Sequence, residues 1–267
     1  MSLLKRYGPW ALVTGASSGI GRAFAHRLAA EGFNIGLVAR RENLLHELGT
    51  ELTEKHSIET RSVKSDLSKP DAVATLLENF RDIELGLIVS NAGTGTPGLF
   101  GDCDLAHERN LVQLNCITSL ELVSIALPEM QSRGRGGVIL VSSMMGFQGV
   151  PYMAHYSAMK GYLLNLGEGL YHEYKEHGID VLALAPGATE TPGTNLHDVD
   201  YEKLPVKFSS PEFVVGKALS AIGKTPCVIP GLRNHFTACL SSGLWTRKFV
   251  QKLMHRLART AIRQDGF

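Results

Sequence analysis

The chain has 267 residues, which suits one large α/β domain with a buried core and is short for two independent domains. Hydrophobic residues make up 44% and charged residues 20%, the ordinary proportions of a globular protein. A formal net charge of +1 gives the molecule no overall electrostatic bias towards nucleic acid. No uninterrupted apolar run reaches the roughly 18 residues that cross a bilayer, and residues 1–7 do not resemble a secretory signal. The four cysteines form neither a C-x-x-C pair nor a metal cluster, so we predict a cytoplasmic protein with reduced thiols and no metal.

Short apolar runs alternate with amphipathic stretches along the chain. The predicted strands are residues 10–14, 35–39, 60–64, 85–90, 138–141, 181–185 and 227–229. The predicted helices are residues 20–30, 43–55, 70–80, 105–130, 156–177 and 211–222, and a turn is predicted at 136–137. This alternation predicts a Rossmann-like, doubly wound parallel sheet of about seven strands with helices on both faces. Residues 1–232 would form this one domain, with ligands bound beyond the carboxyl ends of its strands.

A glycine-rich turn follows the first predicted strand. Residues 14–21 read TGASSGIG, in which Gly15 permits a sharp turn, Gly19 a close approach of backbone to a pyrophosphate and Gly21 tight packing of the next helix. The N-terminus of that helix presents free N–H groups to phosphate. The sequence therefore predicts a dinucleotide cradle, whose contact residues would be Gly15, Ser17, Ser18, Gly19, Ile20 and Gly21.

The end of the second predicted strand indicates which dinucleotide binds. Arg40 and Arg41 stand where a cofactor with a free ribose 2′-hydroxyl is usually held by an acid. Two guanidinium groups suit a 2′-phosphate, which favours NADP(H) over NAD(H), although a solvated surface pair is the alternative. Asp66, after the third strand, could accept a hydrogen bond from the adenine amino group or could simply cap a helix or turn.

Three further positions indicate acid–base chemistry. Tyr156 and Lys160 are four residues apart on one predicted helix and share a face, and Ser143 lies 13 residues before Tyr156 at a strand end. A neighbouring ammonium lowers the high pKa of a tyrosine, so Tyr156 could exchange a proton with a carbonyl oxygen that Ser143 holds. A Y-x-x-x-K pair alone could equally be an ordinary exposed helix pair.

Together these motifs resemble those of short-chain dehydrogenases/reductases of the common, non-extended type. The resemblance covers roughly residues 8–230 and rests on the motifs at residues 14–21, 91–93, 115, 143, 156–160, 186–187 and 191. It implies hydride transfer between NADP(H) and a carbonyl or secondary alcohol. The sequence at 38–45 is similar to the branch that contains 17β-hydroxysteroid and ketoacyl-reductase-like enzymes.

The resemblance also implies individual roles. Asn115 would hold a water that links Lys160 to solvent, and Lys160 would bond the nicotinamide ribose. The predicted catalytic residues are therefore Asn115, Ser143, Tyr156 and Lys160. Besides the cradle and the two arginines, the predicted cofactor contacts are Asp66, Leu67, Asn91, Ala92, Gly93, Tyr156, Lys160, Pro186, Gly187, Thr189 and Thr191. Family members suggest a homodimer or homotetramer built on the helices at 105–130 and 156–177.

The substrate side is apolar in the sequence. Residues 94–100, 144–155 and 189–210 should line the pocket, and we expect the last of these to be a mobile lid. The apolar side chains of the second segment favour an apolar ketone or alcohol, with ordinary core packing as the alternative; they are Met144, Met145, Phe147, Tyr152 and Met153.

Residues 233–267 form a basic extension, in which residues 244–263 have the pattern of an amphipathic helix. Such a helix packs on its own domain or on a sister subunit, or lies peripherally on an anionic membrane. The functional hypotheses are accordingly an NADPH-dependent carbonyl reductase, a catalytically silent NADP(H)-binding regulator, and a membrane-surface protein that acts through its tail.

Overall fold

The computed structural model describes residues 2–192, 203–204, 206–239 and 247–261. These residues contain one seven-stranded sheet of order β3-β2-β1-β4-β5-β6-β7, in which every neighbouring pair is parallel. The strands are β1 (Trp10–Thr14), β2 (Asn34–Ala39), β3 (Thr60–Lys64), β4 (Leu85–Ser90), β5 (Gly136–Val141), β6 (Ile179–Leu184) and β7 (Cys227–Val228). The predicted doubly wound sheet is therefore confirmed.

Helices cover both faces of the sheet. They are α1 (Leu3–Tyr7), α2 (Gly19–Ala30), α3 (Glu42–His56), α4 (Ala72–Glu78), α5 (Leu105–Val112), α6 (Thr118–Arg133), α7 (Ala154–Tyr174), α8 (Pro211–Ala221), α9 (Leu232–Cys239) and α10 (Arg247–Ala261). One large buried cluster lies on each face of the sheet, which explains why the central strands are apolar at almost every position. The strand order reverses between β1 and β4, so the loops that follow these two strands are neighbours at the ligand-binding edge.

The long predicted helix at 105–130 is divided in the structure. Between α5 and α6 lies a single π-helical turn, Gln113–Ile117, and Asn115 stands in it. Such turns occur often at functional sites because they redirect one side chain. The run from Leu105 to Arg133 is long and apolar enough to cross a membrane by length and composition, yet half of its most apolar window is buried in the protein. Leu122 and Leu127 of α6 belong to the core, so this is a core helix of the domain.

The predicted turn at 136–137 is wrong, because both glycines lie inside β5. The turn is at Gly134, whose φ is +64°. A Cβ on Gly136 would lie 2.5 Å from Cγ of Met130, and one on Gly137 would lie 2.8 Å from Cδ1 of Leu87. Packing against neighbouring side chains therefore explains these glycines. The helix predicted at 70–80 is also shorter, and α1 and α9 were not predicted.

Candidate active site

The loop between β1 and α2 has the shape of an anion cradle. Gly15 and Gly19 have φ values of +68° and +54°, in the left-handed region that favours glycine. Ser18 precedes α2 but its side chain makes no capping hydrogen bond, so it does not occupy the N-terminal N–H groups of that helix. A helix N-terminus in this form attracts phosphate through its N–H groups and its dipole.

Arg41 contacts this loop directly, across 23 or more residues of sequence. Its Nη2 donates to Ser17 Oγ and Ser18 Oγ, both at 2.8 Å, and its Nε donates to Ser17 Oγ at 3.2 Å. Arg40 is exposed beside it. The end of β2 therefore places two cations next to the phosphate cradle, an arrangement that spacing alone did not show.

Asp66 takes part in a local turn. Its Oδ1 accepts hydrogen bonds from Ser68 N at 3.2 Å and from Ser68 Oγ at 2.7 Å. Burial tends to raise the pKa of Asp66, but these bonds and the positive charge of Arg40 outweigh it and lower the pKa. Leu67 is buried, and its carbonyl oxygen accepts from Thr118 Oγ1 at 2.9 Å. The turn interpretation of Asp66 is thus present in the structure, alongside its charge interaction with Arg40.

The loops after β1 and β4 are joined by hydrogen bonds through Thr14. Asn91 Nδ2 donates to Thr14 O at 2.9 Å, while the backbone N–H groups of Asn91 and Ala92 donate to Thr14 Oγ1 at 2.9 and 3.0 Å. Asn91 therefore fixes the edge of the sheet where the strand order reverses.

Tyr156, Lys160 and Asn115 converge on one short segment, residues 93–95. A Cβ on Gly93 would lie 2.5 Å from Asn115 Oδ1 and 3.1 Å from Lys160 Nζ, and one on Gly95 would lie 2.7 Å from Cγ of Tyr156. Only glycine leaves room for these side chains to approach so closely. Lys160 Nζ also lies 5.6 Å from the centroid of the Tyr156 ring. The structure thus brings three of the four predicted catalytic residues together.

Lys160 is only 4% exposed, and its Nζ donates to the carbonyl oxygen of Val141 at 3.0 Å. Burial lowers its pKa from 10.5 to about 8. Asn115 donates its Nδ2 to Thr94 O and Leu111 O, while its buried Oδ1 has no hydrogen-bond partner among the described residues. A buried, unsatisfied acceptor next to an ammonium with spare donors is a suitable place for a bridging water.

The two adjacent serines have different environments. Ser142 is buried, and its Oγ donates to Lys160 O at 2.6 Å, which fixes α7 against β5. Ser143 is partly exposed, and its Oγ accepts from Met145 N at 3.2 Å at the start of a short 3-10 helix, Met144–Phe147. Its hydroxyl can still donate to a ligand, which supports the choice of Ser143 over Ser142.

The segment after β6 returns to the same edge. Met144 N donates to Pro186 O at 3.0 Å, and the buried Thr189 donates its Oγ1 to Gly187 O at 3.0 Å. Thr191 lies against the cradle, since a Cβ on Gly19 would be 2.8 Å from its Cγ2. Most of the predicted lid, residues 193–202 and 205, lies outside the described residues.

Two contacts near Tyr156 were not foreseen from the sequence. His155 pairs through Nδ1 with Oε2 of Glu108, a carboxylate that is 3% exposed and whose Oε1 is buried without a partner among the described residues. Tyr152 has a φ of +62° and stacks on His255 of α10, with ring centroids 5.7 Å apart. Both pairs join residues far apart in sequence, so no local pattern could have revealed them.

The C-terminal helix packs on its own domain at this rim. Besides the Tyr152–His255 stack, Val250 is 1% exposed, and Gln251 Nε2 would lie 4.0 Å from a Cβ on Gly149. Tyr152 in turn accepts a hydrogen bond from Gly98 N at 2.8 Å. Of the alternatives for the tail, the structure supports contact with its own domain, and among the described side chains of α10 it leaves Phe249, Lys252 and Arg256 exposed.

The fold and this edge of the sheet define a class of nucleotide-dependent oxidoreductases, and comparison with known proteins agrees. The family model for short chain dehydrogenases matches residues 9–201. The 7beta-hydroxysteroid dehydrogenase of Mediterraneibacter gnavus is 33% identical over 237 residues, which cover 88% of this chain and 90% of the relative. The chain belongs to the short chain dehydrogenase family.

Solved structures give the same result. A 7beta-hydroxysteroid dehydrogenase structure aligns with a TM-score of 0.88 and 29% identity, covering 96% of this chain and 100% of that one. A short-chain dehydrogenase from Sphingobium yanoikuyae in complex with NADPH aligns with a TM-score of 0.79 and 28% identity, covering 97% and 98% of the two chains. Among the homologues of this chain are dehydrogenases and reductases that act on hydroxy and keto groups, and this protein is an oxidoreductase of that family.

Proposed function

We propose that this protein is an NADP(H)-dependent oxidoreductase that interconverts an apolar ketone and the corresponding secondary alcohol. The observation that carries the proposal is the environment of Lys160. Its ammonium is buried beside Tyr156 and Asn115, and no carboxylate of the described residues pairs with it. Burial of an unpaired cation is costly and is typical of functional sites.

The residues present fit a nicotinamide dinucleotide. The cradle at residues 15–21 suits a pyrophosphate, and Arg40 and Arg41 suit a 2′-phosphate because both lie at the end of β2 next to Ser17 and Ser18. Lys160 would hold the nicotinamide ribose, and the segment from Pro186 to Thr191 would border the nicotinamide. The cofactor, when bound, would supply the hydride equivalent for carbonyl reduction. The complementarity between a 2′-phosphate and the two arginines favours NADP(H) over NAD(H).

The side chains then supply the proton chemistry. Tyr156 Oη would donate a proton to the carbonyl oxygen, while Ser143 Oγ donates a hydrogen bond to the same oxygen. The Lys160 ammonium would lower the pKa of the Tyr156 phenol, because it stabilises the phenolate that forms. Asn115 Oδ1 would hold a water through which Lys160 exchanges protons with solvent. In alcohol oxidation each proton would move in the opposite direction.

The substrate would be a bulky alicyclic ketone or alcohol. Met145 is 37% exposed beside Ser143, and Tyr152 forms the rim with His255, so the approach to the hydroxyl groups is lined by apolar and aromatic side chains. Similarity to 7beta-hydroxysteroid dehydrogenases supports a polycyclic substrate. A panel of hydroxysteroids, acyl thioesters and aromatic ketones, followed at the nicotinamide absorbance band with each cofactor, would test this choice.

Substitution of Tyr156 tests the catalytic assignment. Tyr156→Phe removes only the hydroxyl, so we expect kcat to fall by about 10³-fold while the Kd for NADPH changes little. Ser142→Ala is a useful comparison, because the hydroxyl that it removes bonds Lys160 O and lies outside the proposed proton path. Retention of more than about a tenth of wild-type kcat in Tyr156→Phe would refute the assignment.

Substitution of the arginines tests the cofactor preference. Arg40→Ala and Arg41→Ala should each raise the KM for NADPH about 10- to 100-fold, because a charge-assisted bond to a phosphate contributes about 1.5–3 kcal/mol. The KM for NADH should change little for Arg40→Ala. For Arg41→Ala a small rise with NADH is also expected, since this side chain contacts Ser17 and Ser18. An unchanged preference in both variants would place the 2′-phosphate elsewhere.

A catalytically silent NADP(H)-binding regulator, the alternative raised by the sequence, is the weaker candidate. The sequence retains all four predicted catalytic residues, which favours the enzyme.

Subunit association is also part of the proposal, since Leu120 and Ile125 of α6 and Tyr162 of α7 are exposed on the two predicted interface helices. Sedimentation velocity would distinguish a monomer from the proposed dimer or tetramer.

A further inference from the structure

Charge is unevenly distributed along this chain. Residues 213–264 contain nine lysines and arginines and no aspartate or glutamate. The rest of the sequence therefore carries 18 basic residues against all 26 acidic ones. The formal net charge is near zero only because the basic residues 213–264 balance an excess of acidic residues in the rest of the chain. The basic part includes α9 and α10.

The described residues of α10 divide between two faces. Val250 is buried, and Gln251 and His255 point towards Gly149 and Tyr152 of the domain. On another face Phe249, Lys252 and Arg256 follow one another at intervals of three and four residues; Phe249 is 52% exposed, and both cations are exposed. One side of the helix is thus held by the domain, and the other presents an aromatic ring followed by two cations.

Helix α9 adds exposed apolar side chains near the same rim. Leu232 is 90% exposed and Phe236 63% exposed, one turn apart on the helix, and Arg233 is exposed between them. Asn234 of the same helix lies against Gly187, and α9 also contacts the 3-10 helix Met144–Phe147. Helices α9 and α10 therefore both border the segment at residues 144–152, which forms the proposed substrate rim.

We propose that the exposed surface of α9 and α10, defined by Leu232, Arg233, Phe236, Phe249, Lys252 and Arg256, docks on an anionic phospholipid bilayer. Exposed Leu and Phe side chains can enter the boundary between headgroups and acyl chains, while the cations bind the negatively charged headgroups. The acidic remainder of the protein is repelled by the same membrane, which orients the molecule with α9 and α10 towards it. Docking in this orientation brings the substrate rim to the lipid surface, where apolar ketones concentrate. This consequence rests on the proposed function, whereas the docking itself does not.

Co-sedimentation with vesicles tests the proposal without reference to activity. The full-length protein is mixed with vesicles of phosphatidylcholine alone or of phosphatidylcholine with about one third phosphatidylserine. We expect it to pellet with the anionic vesicles and to stay in solution with the neutral ones. About 0.5 M salt, at which the Debye length is only a few Å, should release most of the bound protein.

Matched variants identify the surface. Lys252→Gln with Arg256→Gln should weaken partitioning about thirtyfold, since each cation contributes about 1 kcal/mol near an anionic membrane. The control is Lys5→Gln with Lys55→Gln, which removes the same charge from exposed positions outside α9 and α10 and should change partitioning by less than about threefold. Leu232→Ser with Phe236→Ser should weaken partitioning about tenfold. Thermal unfolding of each variant checks that the fold is intact.

The docking proposal would be overturned by wild-type protein that does not pellet with anionic vesicles, by equal pelleting with both vesicle types, or by equal losses in the Lys252→Gln, Arg256→Gln variant and in its Lys5→Gln, Lys55→Gln control. The first two of these results are obtained with wild-type protein alone, so the proposal can be refuted even if a variant fails to fold. Absence of enzymatic activity with any ketone would refute the proposed function and leave this assay unaffected. Pelleting that persists in high salt would show an apolar attachment that the charges do not explain, and would also overturn it.

Discussion

Replacement of Lys160 by methionine should make the protein more stable and inactive. Burial lowers the pKa of this lysine from 10.5 to about 8. Because each pKa unit corresponds to about 1.4 kcal/mol, keeping the ammonium charged costs the folded protein about 3 kcal/mol at neutral pH. Lys160→Met removes this cost with a side chain of similar length, but it leaves Val141 O without its donor, which offsets about 1–2 kcal/mol. We expect a net gain of about 1–2 kcal/mol and a Tm about 2–6 °C higher without cofactor.

The dependence on pH separates this explanation from a general packing effect. The lowered pKa means that folded Lys160 loses its proton before unfolded Lys160 does, so wild-type stability rises between about pH 8 and pH 10.5. The methionine variant lacks this rise, and its advantage over wild type should shrink across the same interval. Other groups that titrate there are common to both proteins and cancel in the difference.

Urea unfolding of both proteins without cofactor, at several pH values from about 7 to 10.5, measures these differences. Lys207→Met serves as the control, because Lys207 is exposed and its replacement should change stability by no more than about 0.5 kcal/mol. A methionine variant that is less stable than wild type at neutral pH, or whose advantage does not depend on pH, would refute the assignment of a costly buried charge.

Two further predictions concern the surroundings of Tyr156. Gly95→Ala would place a Cβ 2.7 Å from Cγ of Tyr156, so we expect kcat to fall about 100-fold. The control is Gly101→Ala, whose Cβ would meet nothing within 4 Å and which should leave kcat nearly unchanged. Similar kcat values in the two variants would contradict the close approach of Gly95 to Tyr156. His155→Phe leaves the buried Glu108 carboxylate without its partner and should lower the free energy of unfolding by about 2–3 kcal/mol. Adding Glu108→Leu to make the double variant should restore most of this loss. Additive losses in the double variant, measured by urea unfolding, would show that the pair is not coupled.

The sequence by itself determined those features that depend on local pattern. Uniformly apolar strands that alternate with amphipathic helices predicted the parallel sheet, since only strands covered on both faces can be apolar at nearly every position. The glycine turn at 15–21 and the spacing of Tyr156 and Lys160 predicted where a dinucleotide and an acid–base pair belong, because both motifs require particular residues within a few positions of each other. Local pattern was misleading at Gly136 and Gly137, where it predicted a turn inside β5.

Only the tertiary structure decided which distant residues meet. The way in which the strands and helices assemble places Asn115 and Lys160 next to Gly93, brings Arg41 to Ser17 and Ser18, and buries Glu108 beside His155. Such contacts span tens of residues, and neither helical nor strand periodicity constrains them. The burial that lowers the pKa of Lys160 arises in the same way, because it depends on how elements distant in sequence enclose one end of α7.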